Sequence, residues 1–183
     1  MPEDETALVV RSRGGDTRAF DQLMEAYQDR IYHLAYRITG NHADAQDAAQ
    51  DAFVKAYRSL GAFRAHAAFS TWLHRIAVNA AVDIVRRRVP RVSDPPEVAA
   101  SAADPLADGA ERIEVQQRIH RALAALPVEQ RMIVVLRDIQ GWAYEEIAKI
   151  VQVPIGTVRS RLARGREALR LALADLAPVG TRL

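Results

Sequence analysis

The chain of 183 residues has no cysteine, only two lysines, and aromatic side chains at just 6% of its positions. Without cysteine there is no disulfide framework, no thiolate metal site and no cysteine nucleophile, and the composition agrees with a reducing compartment. No apolar run approaches the roughly 18 residues that a membrane span needs. The acidic start from Met1 to Thr6 lacks the basic-then-apolar order of a signal peptide. A soluble, cytoplasmic protein is the expectation. The five histidines, His33, His42, His66, His74 and His120, show no metal-ligand spacing, and no glycine-rich phosphate loop occurs. No metal, cofactor or catalytic residue is expected, so the chain does not read as an enzyme.

Arginine and alanine are what it has in excess. With Lys55 and Lys149 the only lysines, 23 arginines carry the positive charge, and the pI is about 9.2 although the formal net charge is only +2. Arginine is the better bidentate partner for phosphate and for guanine edges. A GC-rich genome produces the same bias, so only the placement of the charge is informative.

Apolar positions recur at intervals of three and four from Phe20 through Leu23, Tyr27, Ile31 and Leu34 to Ile38, which predicts a long amphipathic helix between Asp16 and Gly40. A second helix is expected from about Ala43 to Leu60, with Ala45, Ala48, Ala52, Phe53, Ala56, Tyr57 and Leu60 inward. A third covers Phe69 to Arg88, ended by Pro90. Val78, Val82 and Val85 add a second apolar stripe, read as packing on a neighbouring helix. No stretch alternates with period two for long enough to argue for a strand. From Arg91 to Glu111 the periodicity collapses into proline, alanine, serine and aspartate with a net charge of −4. That segment reads as a flexible acidic linker, either a solvated spacer or a mimic of a polyanion. Beyond it, helical spacing resumes from Ile113 to Leu126, from Pro127 to Gly141, from Tyr144 to Val151 and from Ile155 to about Leu176. The fold class is therefore all-α, with two small helical domains, 1–90 and 112–183, on either side of an acidic linker, 91–111.

Tyr144 to Leu162 has the layout of a helix-turn-helix: a short helix, a turn at Gln152-Val153-Pro154 and a second helix crossing the first. Ala148 is small where the helices approach, and the turn lacks the glycine often found there. Val158, Leu162, Gly165 and Leu169 fall within about 60° of one another on the last helix, which makes that the buried face. The opposite side holds Gly156, Thr157, Ser160, Ala163 and Arg164, with Arg159 at its edge, and Ile155 to Arg170 carries a net +4. Small residues there let a helix sit deep in a major groove, where Arg159 and Arg164 reach base edges and Thr157 or Ser160 a phosphate or base. In the first half, Asp44, Asp47 and Asp51 share one side of the second helix, with Gln50 near its border. Placement near the positive helix N-terminus explains these aspartates as well as a partner surface does.

The run Asp44 to Arg58, DAQDAAQDAFVKAYR, resembles region 2.2 of the extracytoplasmic-function (ECF) group of bacterial RNA polymerase sigma factors. Gly15-Asp16, Ala19-Phe20, Leu23 and Tyr27 resemble the start of region 2, and Phe69 to Arg88 is similar to regions 2.3 and 2.4. Leu126-Pro127, Gln130-Arg131, Gly141, Tyr144 to Ala148 and Gly156 to Arg166 look like region 4. The resemblance covers nearly the whole chain in order and implies a promoter-specificity subunit. It implies that Asp44, Asp47, Gln50 and Asp51 face the clamp helices of the polymerase beta-prime subunit and that the second domain meets the beta flap. It assigns Phe63, Arg64, Arg75, Asn79, Asp83 and Arg86 to the melted minus-10 element, with Phe63 as a stacking group. Pro154, Thr157, Arg159, Ser160, Ala163 and Arg164 would then read the minus-35 element. Arg75, Asn79 and Arg86 lie within about 40° on one helix side, so one strand can touch all three. The linker would mimic RNA in the polymerase, and an anti-sigma protein is an implied partner. The rival reading is a helix-turn-helix transcription regulator with a helical sensing domain.

Overall fold

The computed structural model describes residues 4–63, 68–88 and 107–174, the last span with side chains from residue 113 onward. Every regular element among them is helical. The first unit contains α1 (Glu5–Arg13), α2 (Thr17–Thr39), α3 (His42–Ser59) and α4 (Phe69–Arg88). The second contains α5 (Ala107–Ala125), α6 (Val128–Val134), α7 (Tyr144–Val151) and α8 (Ile155–Ala172). Of the linker expected at 91–111, only its last residues, 107–111, fall in the described part, and there α5 has already begun.

The long helix α2 starts where Asp16 accepts the Ala19 N–H at 3.2 Å. It stops at Gly40, whose left-handed φ of 88° suits glycine and returns its N–H to the Tyr36 carbonyl at 2.9 Å. The next residue, Asn41, caps α3 by accepting the Asp44 N–H at 2.9 Å. The two helices thus form an antiparallel hairpin. Ala45, Ala48, Ala49, Ala52 and Ala56 are buried along α3, so its backbone lies close to α2 and α4. Leu23, Ile31, Leu34 and Ile38 fill the other side of the contact, each contributing about 1.5–3 kcal/mol by burial. Tyr57, expected to point inward, is half exposed and only rests its ring edge-on to Phe20 at 5.0 Å.

The helix α1 has no counterpart in the sequence reading. Its apolar residues do not segregate to one face, since Leu8 and Val9 are buried while the adjacent Val10 is 62% exposed. It packs on α2 through Leu8 and Val9, and the Tyr27 hydroxyl donates to Glu5.

In the second unit α6 continues into a wide π-helical turn, Val135–Ile139, that ends at Gly141 with φ 78°. This segment supplies the buried Ile133, Val134, Val135 and Leu136, against which α7 and α8 pack. The tightest crossing is at Gly165 of α8. A Cβ there would lie 2.8 Å from Cγ2 of the buried, β-branched Val134, which has no room to yield. Alanine in place of a helical glycine ordinarily gains up to about 1 kcal/mol, whereas overpacking costs about 1–3 kcal/mol. Gly165→Ala should therefore lower the thermal midpoint. An unchanged or raised midpoint would show that α6 and α8 are not in this contact.

Candidate nucleic-acid interface

The turn between α7 and α8 sets the geometry of the interface. Glu146 Oε2 accepts the Ala143 N–H at 3.0 Å and fixes the start of α7. The helix ends at Gln152, which takes the left-handed conformation at φ 55° and ψ 46°. A residue with a Cβ costs about 1–2 kcal/mol there, and this is how the turn is made without glycine. The Pro154 carbonyl then accepts the Thr157 and Val158 N–H groups at 2.8 and 3.1 Å, opening α8. Val158, Leu162 and Gly165 turn into the seam with Ile147 and Ile150. Pro154, Arg159, Ser160, Ala163 and Arg164 are left exposed, with Thr157 half-buried beside them.

Charge along α8 is divided in two. Arg166 makes a bidentate pair with Asp138 at 3.0 and 2.5 Å, and Arg170 a bidentate pair with Glu167 at 2.8 and 2.6 Å. Arg159 and Arg164 make no ion pair among the described residues. These two guanidinium groups thus lie nearer the turn than the paired ones. The net +4 counted along the sequence does not reveal that distribution.

On α4, Asn79, Asp83 and Arg86 are exposed and Arg75 is half-buried. Phe63 does not join them. It is 5% exposed, with its ring 5.0 Å from that of Trp72 and 5.9 Å from that of Phe69. The 3₁₀ turn Leu60–Ala62, closed by the Phe63 N–H on the Leu60 carbonyl at 3.0 Å, places it in the core. The expected stacking role is therefore corrected to a packing role. Arg64 lies outside the described residues.

The four acidic and amide residues of α3 also separate. Asp44 is engaged locally: its carboxylate accepts from the Asn41 side chain at 2.9 Å and pairs with Arg88 of α4 at 3.0 Å. Asp51 pairs with Lys55 at 2.7 Å, while Asp47 and Gln50 are exposed. Asp47 and Asp51 face Asp83, Arg86, Arg87 and Arg88 across one open cleft between α3 and α4.

Residues 23–90 match the Sigma-70 region 2 family, and residues 116–169 match Sigma-70 region 4. The RNA polymerase sigma-H factor of Pseudomonas aeruginosa is 41% identical over 95% of this chain and 96% of its own length. The chain belongs to the sigma-70 family, in its ECF group. The ECF RNA polymerase sigma factor SigW of Bacillus subtilis is 38% identical over 92% of this chain and 96% of its own. The ECF RNA polymerase sigma-E factor of Escherichia coli is 40% identical over 88% and 90%. Among solved structures, CnrH in complex with the cytosolic domain of CnrY superposes with a TM-score of 0.71 at 27% identity, covering 93% of this chain and 97% of that one. The sigma factor RpoE of Bartonella quintana, in complex with the anti-sigma factor NepR, gives 0.70 at 26% identity, covering 85% and 96%.

The sigma factor is thus an alternative sigma factor that directs promoter-specific transcription by RNA polymerase, and it is not an enzyme. A regulator with a sensing domain is set aside, because region 2 is matched as well as region 4. No helix among the described residues is long and apolar enough to cross a membrane.

Three residues that sequence reasoning gave no special role stand out at the junction of the two units: His120, Glu129 and Arg131. Each acts across the chain on a backbone carbonyl or on a single distant side chain, and neither leaves a periodic signal.

The α3 geometry separates fold from partner binding. Asp44→Ala should cost about 0.5–1.5 kcal/mol of stability through the lost Asn41 and Arg88 contacts, whereas Asp47→Ala should stay within about 0.5 kcal/mol of the parent. Chemical denaturation of the two variants measures the difference. Equal effects would mean that Asp44 is as free as Asp47.

Proposed function

We propose that the exposed side of α8 reads the minus-35 element, with Arg159 and Arg164 directed at base edges and Pro154, Thr157, Ser160 and Ala163 shaping the approach to the groove. The carrying observation is that Arg159 and Arg164, which make no ion pair among the described residues, lie nearer the turn than Arg166 and Arg170, which are neutralised. Arg75, Asn79, Asp83 and Arg86 of α4 would receive the melted minus-10 strand. Unstacking a base costs a few kcal/mol, which the site must return through contacts to that strand.

Asp47, Gln50 and Asp51, with Asp44 behind them, form the surface offered to the beta-prime clamp helices, and the second unit meets the beta flap. We assign 1–90 to the region 2 domain, 91–111 to an acidic linker acting as an RNA-like polyanion, and 112–183 to the region 4 domain. The resemblance to sigma factors solved with anti-sigma partners supports control by an anti-sigma protein. As a partner of RNA polymerase the protein would act in the cytoplasm.

Transcription by core polymerase supplied with the purified chain, on a library of promoters, tests the reading most directly. Arg164→Ala should weaken binding to the upstream element by about 1–3 kcal/mol and relax preference at one position. An unchanged preference removes Arg164 from the reading face. Replacing Asp47 and Asp51 together by Ala should reduce association with core while leaving upstream duplex binding intact. Loss of both activities would mean unfolding instead of a lost clamp contact.

A further inference from the structure

Three arginines of α8 form a row along one side of the helix. At about 100° per residue Arg159, Arg166 and Arg170 fall within about 40° of one another, spread over about 16 Å of helix axis. Arg159 begins the row beside the turn, at the edge of the side assigned to base reading. A row of this kind suits a phosphate backbone, whose contacts are indifferent to sequence and supply essentially all of non-specific binding.

Two of the three are met by carboxylates. Asp138 accepts from Nε and Nη2 of Arg166 at 3.0 and 2.5 Å, one oxygen to each nitrogen. Glu167 holds Nε and Nη2 of Arg170 in the same two-pronged way at 2.8 and 2.6 Å. The carboxylates come from different places. Glu167 is three residues from its partner on α8 itself. Asp138 is 28 residues from Arg166, in the π-helical turn Val135–Ile139, a kind of turn that recurs at functional sites. The neighbouring Arg137 is engaged as well, donating to the Trp142 carbonyl at 2.8 Å and lying 5.0 Å from the centre of the Tyr144 ring. Arg159 makes no ion pair among the described residues.

We propose that Asp138 and Glu167 are specificity residues that withhold Arg166 and Arg170 from the DNA backbone, so that the hold of α8 on a duplex depends on Arg159 and Arg164. The proposal rests on the assignment of α8 to the minus-35 element. Both pairs are exposed and open easily, and the withholding does not require them to stay shut. A phosphate that takes Arg166 leaves Asp138 uncompensated beside the backbone, where like charges repel. Arg166 and Asp138 together carry no net charge, so the pair as a whole releases no counterion. The same holds for Arg170 and Glu167. Glu167 also lies on the side of α8 that holds Ser160, Ala163 and Arg164, so its carboxylate faces the same duplex. Each pair thus removes one sequence-blind contact and leaves base reading untouched. A genome offers about 10⁶ or more competing non-specific sites, and fewer such contacts leave less of the protein held on them.

The salt dependence of duplex binding tests the proposal. Asp138→Asn and Glu167→Gln keep size and hydrogen-bonding capacity and remove the charge. Each freed arginine that reaches a phosphate should steepen the slope of log K against log salt by about 0.9. For the full chain on a duplex of scrambled sequence, the double variant should show a slope steeper by about 1.8. Its affinity should then fall about twelvefold more than the parent's between about 50 and about 200 mM salt. Asp21→Asn, at an exposed position of α2, adds the same charge as either single variant and should keep the parent slope. Arg166→Gln added to Asp138→Asn should restore the parent slope, which damage to the π-helical turn would not do.

Equal slopes of double variant and parent overturn the proposal, and so does absence of binding by both. Equal steepening by Asp21→Asn also overturns it, since net charge alone then accounts for the effect. Should Asp138→Asn not fold, Glu167→Gln gives the same test at one exposed site, with a slope steeper by about 0.9. If the slopes change as expected while Arg164→Ala leaves the preference among duplexes unchanged, the withholding holds for duplex DNA and the minus-35 assignment fails instead.

Discussion

Arg131 is a buried cation with no carboxylate partner, and the arrangement of the two domains depends on how it is satisfied. Burial lowers its pKa, and breaking up a buried, hydrogen-bonded charge costs several kcal/mol. Its acceptors are carbonyls at the end of α2 and at the junction of α5 with α6. These oxygens would otherwise be the orphans of helix ends. One side chain thereby answers for the end of a region 2 helix and for the turn on which the region 4 domain is built. Nε of the same guanidinium finds no partner among the described residues.

Charge elsewhere follows the same logic of local compensation. Asp44 is bound to Arg88, Asp51 to Lys55, Asp138 to Arg166 and Glu167 to Arg170. Such exposed pairs stabilise by less than about 1 kcal/mol each. Their larger effect is to decide which cations remain available to phosphate. Glu129 goes further. Its carboxyl is held below the ordinary range by its own backbone N–H, by Arg86 of α4 and by Arg161 of α8. A single carboxylate therefore lies between an arginine of α4 and one of α8.

Much of this was legible in the sequence, and the omissions have a common cause. The helices α2, α3, α7 and α8 each bury one stripe and α4 a second besides, so period and caps marked them within a few residues. The seam of Val158, Leu162 and Gly165 followed from angle alone. By contrast α1 buries Leu8 and Val9 but exposes Val10, so it has no stripe to read. Phe63 was expected to stack because the resemblance places it at the melted minus-10 element, yet the turn Leu60–Ala62 directs its ring inward. The contacts of His120 and Arg131 could not be read at all. Their acceptors are backbone carbonyls, which every residue has, 80 and 93 residues away in the chain.

Compensation of this kind also decides what a partner must displace. Arg86 is held by Glu129 at 3.2 Å, so an anion that takes this guanidinium must first remove that carboxylate. The pair is exposed and stabilises by less than about 1 kcal/mol, whereas a phosphate offers a guanidinium two charge-assisted hydrogen bonds. Asp44 would have to be released from Asn41 and Arg88 in the same way, while Asp47 already lies exposed. Which charges can meet a partner is therefore set by the pairs around them as much as by their positions along the chain.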